Sequence, residues 1–111
     1  MKREIVSTQV FDRLWQELGQ TEEQLRDLQN YLVNNPEAGD LIQGTGGLRK
    51  VRFQAEGKGK RGGCRVLYVD FIYYEKIYLM SVYHKSTKTD LTEKEKVIFK
   101  NRLDDIKKDL R

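Results

Sequence analysis

Two apolar runs in the second half of the chain constrain the fold most strongly. Residues 65–71 (RVLYVDF) are apolar on both faces after the first residue, and residues 77–83 (IYLMSVY) repeat this pattern. Short runs that are apolar on both faces are typical of central strands. Only residues 72–76 separate the two runs, and residues 74–76 can form the turn. The sequence therefore predicts an antiparallel strand pair in the middle of a sheet.

Two further segments are predicted as strands. Residues 3–8 form a short strand with an apolar centre. Residues 48–53 form another, with Val51 and Phe53 on one face and Lys50 and Arg52 on the other.

Three segments carry apolar residues at helical spacing. Gly19 ends the first and Pro36 follows the second, since the residue before a proline is disfavoured in a helix. Capping boxes begin the second helix at Thr21 and the third at Thr92. Trp15 is expected to anchor the first two helices, a helical hairpin, against the sheet. The apolar positions are Phe11, Leu14, Trp15 and Leu18; Leu25, Leu28 and Leu32; and Phe99, Leu103, Ile106 and Leu110.

These elements give the order β-α-α-β-β-β-α in a single domain spanning residues 1–111. The predicted class is α+β, with a four-stranded, mainly antiparallel sheet, an N-terminal helical hairpin and a C-terminal helix. The helices are expected on one face of the sheet. The face that carries Lys50 and Arg52 is then expected to stay open to a ligand.

Charge is segregated along the chain. Residues 1–40 carry four basic and eight acidic side chains, whereas residues 41–65 carry seven basic and one acidic. Glycines interrupt the basic segment and let backbone amides approach a ligand closely. Clustered Lys and Arg attract phosphate, so the expected partner is a polyanion, most simply a nucleic acid.

The sequence lacks the residues that several functional classes need. One histidine and one cysteine give no zinc-ligand spacing, and neither glycine cluster matches a nucleotide-binding fingerprint, so no metal or cofactor is expected. The single Cys64 is expected to be a small buried side chain. No apolar run reaches the length of a signal segment or membrane span, which predicts a cytoplasmic protein without a membrane partner.

The remaining chemistry belongs to a basic set with two neighbouring rings. Such a set can hold an RNA backbone and stack a base. It can also cut RNA, because the 2′-hydroxyl is a built-in nucleophile that the protein need only orient while cations stabilise the phosphate charge. A lysine among other cations has a lowered pKa and can exchange protons near neutral pH. The set comprises Arg49, Lys50, Arg52, Lys58, Lys60, Arg61, Arg65 and Lys85, with Tyr83 and His84.

The same segments resemble the HigB branch of the RelE/ParE toxin superfamily. The resemblance covers roughly residues 36–110 and is carried by residues 39–52 (GDLIQGTGGLRKVR), 57–68 (GKGKRGGCRVLY), 82–85 (VYHK) and 90–92 (DLT). It implies the toxin of a type II toxin–antitoxin module, a ribosome-dependent endoribonuclease that cuts mRNA in the A site. It also implies inhibition by a co-encoded helix-turn-helix antitoxin similar to HigA.

The resemblance implies roles for individual residues. Arg65 matches the arginine that opens the third family strand and holds the scissile phosphate, and Lys85 matches a basic residue at the end of the fourth. Lys58, Lys60 and Arg61 match the basic loop, with one lysine as the proton-transfer group. Superfamily members often stack the substrate base on a C-terminal tyrosine or histidine, which this chain lacks. Tyr83, His84 or ribosomal RNA are the alternatives, and Arg49, Lys50 and Arg52 are expected to bind RNA.

Two other functions are compatible with the same residues. A non-catalytic RNA- or ribosome-binding module would use the same cations, because a positioning cation and a catalytic one look alike in sequence. A domain that docks an acidic protein would bind protein and not ribosomes. Loss of cleavage without equal loss of binding on substitution of Arg65 separates the enzyme from the binding module.

Overall fold

Five strands form one sheet in the computed structural model, which describes residues 3–54, 63–88 and 90–111. The strands lie in the order β1-β5-β4-β3-β2. β1 runs parallel to β5, and every other neighbouring pair is antiparallel. The strands are β1 (Glu4–Ser7), β2 (Asp40–Leu41), β3 (Leu48–Phe53), β4 (Cys64–Phe71) and β5 (Lys76–His84); the helices are α1 (Gln9–Glu17), α2 (Glu22–Asn34) and α3 (Glu93–Leu110).

The α+β class, the helical hairpin, the central strand pair and the C-terminal helix are confirmed. The predicted sheet lacked β2, a strand of only two exposed residues. Its pairing with β3 depends on the turn between them, where Thr45 is fully buried. The hydroxyl of Thr45 donates to the carbonyl of Ile42 and accepts from the N–H of Leu48. A strand of two residues is too short to show a periodic pattern, so the sequence alone did not predict β2.

The expectation that all helices lie on one face of the sheet is wrong. Alternate residues of β4 belong to two separate cores: Val66 and Tyr68 pack with α1 and α2, whereas Leu67 and Val69 pack with α3. Adjacent side chains of a strand point to opposite faces, so the helical hairpin and α3 cover opposite faces. The face that carries Lys50 and Arg52 is therefore shared between α3 and solvent.

The helix boundaries follow from local chemistry. Both predicted capping boxes form, at Thr21 with Gln24 and at Thr92 with Glu95. Gly19 follows α1 with a φ of 76°, a left-handed conformation that glycine adopts without strain. Trp15 is buried as predicted, with its ring 5.5 Å from that of Phe11. No helix in the described residues is long and apolar enough to span a membrane.

Candidate nucleic-acid interface

Arg52, Arg65 and Tyr83 form one row across three neighbouring strands. Arg52 of β3 pairs with Arg65 of β4, and Arg65 pairs with Tyr83 of β5. Directly paired residues of neighbouring strands lie on the same face of a sheet. Because Arg65 alternates with Leu67, which packs against α3, the row lies on the α3 face of the sheet.

A β-bulge places Tyr83 in this row. The pairing of β4 with β5 shifts between Leu67 and Tyr68, so that Leu67 pairs with Ser81 and Tyr68 with Leu79, leaving Met80 as an extra residue. Leu79 faces the helical hairpin, and regular alternation would turn Tyr83 to that side as well. The extra residue reverses the alternation and brings Tyr83 beside Arg65.

The two arginines of the row have no carboxylate ion-pair partner among the described residues. Like charges directly opposite each other on neighbouring strands are destabilising. In the neighbouring Lys50, by contrast, Nζ lies 3.1 Å from a carboxylate oxygen of Asp90. The Arg52–Arg65 pair is therefore a concentrated positive charge that favours an added anion.

Tyr83 is a neutral hydrogen-bonding ring beside these cations. Burial raises the pKa of its hydroxyl, with Arg65 acting in the opposite direction and Asp90 and Glu95 raising it further. The Lys88 ammonium lies over the ring, 5.5 Å from its centroid, and also pairs with Glu95. The hydroxyl of Tyr83 thus stays protonated at neutral pH and can donate a hydrogen bond to an anion.

Lys85 extends the basic row at the end of β5. It lines a small cleft of about 230 Å³ together with Arg52 and Arg65. Its N–H lies 3.5 Å from the carbonyl of Gly63, which ties the end of β5 to the start of β4. The structure therefore brings Lys50, Arg52, Arg65, Tyr83 and Lys85 together, all of which the sequence had singled out.

Arg49 and His84 lie apart from this group. Arg49 alternates with Lys50 and Arg52, and its guanidinium donates to the carbonyl of Gly39 at 2.6 Å. His84 alternates with Tyr83, and its Nδ1 accepts a hydrogen bond from the N–H of Ser86 at 3.1 Å. Both side chains thus form hydrogen bonds with the backbone, Arg49 at Gly39 and His84 at Ser86.

The predicted Lys58, Lys60 and Arg61 lie outside the described residues, in the segment 55–62 between β3 and β4. Their roles stay predictions from the sequence.

Four residues near the row were not among the predicted site residues. Tyr31, Asp40 and Asp90 share a cleft of about 450 Å³ with Lys50, Arg52 and Arg65. Lys88 contacts Tyr83, as described above. Tyr31 comes from α2, where no motif marks it, and Asp40 comes from β2, within the stretch 39–52 that carries the family resemblance but without a predicted role. Lys88 and Asp90 lie between β5 and α3; Asp90 belongs to the stretch 90–92 that carries the family resemblance, and for Lys88 the polarity of the segment was the available signal.

The arrangement can bind a phosphate and hydrogen-bond an adjoining group. Arginine offers several N–H donors in a fixed planar fork that matches phosphate oxygens. Within residues 3–54, 63–88 and 90–111, no three His, Cys, Asp or Glu side chains come together as metal ligands. Buried Cys64 is unsuited to act as a nucleophile, because burial raises the pKa of its thiol to about 11.

No family model matches the sequence. Among solved structures, the chain is similar to the E. coli toxin RelE, determined in its free state as a mutant with two arginines replaced by alanine. The TM-score is 0.56 at 15% sequence identity, and the match covers 88% of this chain and 96% of that chain. The likeness extends over nearly the whole of both chains and establishes a RelE-like fold.

Proposed function

We propose that this chain is the toxin of a type II toxin–antitoxin module, of the HigB branch of the RelE superfamily. It is a cytoplasmic, ribosome-dependent endoribonuclease that cuts mRNA in the A site and so inhibits translation. The observation that supports this proposal best is the Arg52–Arg65 pair, which has no carboxylate partner in the part of the chain that the structure describes and lies beside neutral Tyr83 on a RelE-like fold. Its partners are the ribosome, mRNA and a HigA-like antitoxin with a helix-turn-helix domain.

The proposed reaction is attack of a 2′-hydroxyl on the adjacent phosphodiester. The new bond joins the 2′-oxygen to phosphorus, and the bond to the 5′-oxygen of the next nucleotide breaks. The products are a 2′,3′-cyclic phosphate and a 5′-hydroxyl, and no water is consumed in this step. The 2′-hydroxyl loses its proton to a base, and the leaving 5′-oxygen gains a proton from an acid.

Each basic residue has a proposed task in this reaction. Arg65 holds the scissile phosphate and, with Arg52, stabilises the charge that develops on its oxygens. Lys85 contributes further positive charge from the end of β5. Lys58 or Lys60 transfers a proton, and Arg61 adds charge to that segment. Tyr83 donates a hydrogen bond or stacks the substrate base.

Primer extension on mRNA tests the proposal. The full-length protein is incubated with mRNA, with and without programmed ribosomes, and compared with Arg65→Ala. Removing a donor that stabilises transition-state charge costs about 100-fold in rate or more, so Arg65→Ala should remove the ribosome-dependent breaks. Arg13→Ala is the matched control, because Arg13 is exposed on α1, on the opposite face of the sheet. It should cleave like the unsubstituted protein.

If the chain is instead a non-catalytic RNA- or ribosome-binding module, a different outcome is expected. mRNA that stays intact while the protein sediments with ribosomes would overturn the enzymatic proposal. Equal cleavage by Arg65→Ala and Arg13→Ala would overturn the assignment of Arg65.

A further inference from the structure

The cleft of about 450 Å³ lies at an open edge of the sheet. β2 begins at Asp40, which pairs with Lys50, so the outer edge of β3 beyond Lys50 has no strand neighbour among the described residues. Tyr31 lies at the α2 side of this gap, and Arg52 and Arg65 lie at the sheet side. The gap thus adjoins the proposed phosphate site.

The lining combines three kinds of chemistry that a simple phosphate groove does not need. Arg52 and Arg65 supply positive charge, Tyr31 supplies a ring that is 43% exposed, and Asp40 supplies an exposed carboxylate. A carboxylate repels phosphate, so Asp40 is unfavourable in a surface that only binds the RNA backbone. A nucleotide offers a partner to all three groups, since it has a phosphate, a π-face and a base edge with N–H donors.

The walls of the cleft are held in place by hydrogen bonds. The buried hydroxyl of Tyr68 donates to the carbonyl of Pro36 at 2.8 Å and accepts from the N–H of Gly39 at 2.9 Å. The guanidinium of Arg49 donates to the carbonyl of Gly39 from the same side. These bonds fix the residue that precedes Asp40, and a fixed wall lowers the entropy lost on binding.

We propose that this cleft binds one nucleotide of the RNA and prefers guanine. Tyr31 stacks on the base, Asp40 accepts hydrogen bonds from it, and Arg52 and Arg65 contact its phosphate. Guanine fits a carboxylate best because its imino and amino donors are adjacent and can reach both oxygens, whereas uracil offers a single imino donor. That the nucleotide belongs to RNA rests on the proposed function.

Binding of oligonucleotides that cannot be cleaved tests this assignment separately from the reaction. Two fluorescein-labelled pentamers of deoxyuridine are used, one with a central deoxyguanosine, and affinity is measured by fluorescence anisotropy at low salt. Neither pentamer carries a 2′-hydroxyl, so the proposed reaction cannot occur. The unsubstituted protein should bind the guanine pentamer several-fold more tightly.

Substitutions separate the two contacts to the base. Tyr31→Ala should weaken binding of the guanine pentamer about tenfold through lost stacking, and Tyr31→Phe should retain it. Asp40→Asn should remove the preference for guanine without weakening the uracil pentamer. The matched controls are Tyr73→Ala, at a tyrosine that is 89% exposed, and Asp105→Asn on α3; both should behave like the unsubstituted protein.

The outcomes distinguish failure of the nucleotide assignment from failure of the enzymatic proposal. Equal affinity for the two pentamers, or equal effects of Tyr31→Ala and Tyr73→Ala, would overturn the nucleotide assignment even if mRNA is cleaved on ribosomes. A guanine preference that depends on Tyr31 and Asp40 supports the cleft even if no cleavage occurs, in which case only the enzymatic proposal fails.

Discussion

At the scale of single residues, Tyr68 links the sheet to the rim of the candidate site. Its side chain is fully buried in β4, and its hydroxyl bridges Pro36 and Gly39. Burial raises the pKa of this hydroxyl, so it remains a donor at neutral pH. A Cβ atom on Gly39 would lie 2.9 Å from the Cε1 atom of Tyr68, so the close approach itself requires glycine.

Removing this hydroxyl should destabilise the fold measurably. Tyr68→Phe leaves the N–H of Gly39 and the carbonyl of Pro36 without their partner, which costs about 1–3 kcal/mol in the free energy of unfolding. Urea unfolding measures the change. Tyr73→Phe is the control, because an exposed hydroxyl should contribute less than about 0.5 kcal/mol. Equal effects of the two substitutions would contradict the structural role of Tyr68.

At the scale of secondary-structure elements, the Arg52–Arg65 pair joins β3 to β4 at a cost in stability. Arg52→Gln removes the repulsion between like charges on paired strands, so the free energy of unfolding should rise by about 0.5 kcal/mol at low salt. High salt should remove this gain by screening. Affinity for RNA should fall in the same variant, because a phosphate contact is lost.

A control variant separates this effect from ordinary loss of a surface arginine. Arg13→Gln breaks a pair in which Nε of Arg13 lies 3.6 Å from a carboxylate oxygen of Glu17 on α1. It should lower stability slightly and leave RNA affinity unchanged. If Arg52→Gln also lowers stability and keeps RNA affinity, the pair is not a phosphate site.

The helices and longer strands were predictable from the sequence because each has a local residue pattern. The alternation of β3, the two-sided apolar runs of β4 and β5 and both capping boxes all have local patterns. The prediction for α3 was wrong because Lys50 and Arg52 do not represent their whole face of the sheet. Leu67 and Val69 continue that face, and their burial requires a cover that α3 provides.

At the scale of the whole molecule, the charge segregation of the sequence becomes a spatial one. The acidic N-terminal segment forms β1 and the helical hairpin, which packs on one face of the sheet. The Arg52–Arg65–Tyr83 row lies on the opposite face. In the proposed function, such a separation would turn the basic face toward RNA as the two molecules approach each other.

The candidate site was predictable only in part, because it is assembled from distant segments. Composition and the family resemblance identified Arg65, Arg52 and Lys85. The alternation of side chains along β3 separates Arg49 from the row, and the bulge in β5 decides that Tyr83 and not His84 joins it. Tyr31 reaches the same cleft only through the fold, because no sequence pattern relates it to Arg65, and the resemblance that includes Asp40 gave it no role.

The most direct test of the central claim is cleavage of a short synthetic mRNA on ribosomes with one 2′-deoxynucleotide placed before the scissile phosphate. We expect no cleavage at the modified position, unchanged cleavage at an unmodified copy of the same codon, and a 2′,3′-cyclic phosphate on the unmodified product. Cleavage that persists at the deoxynucleotide would show that the 2′-hydroxyl is not the nucleophile and would contradict the account.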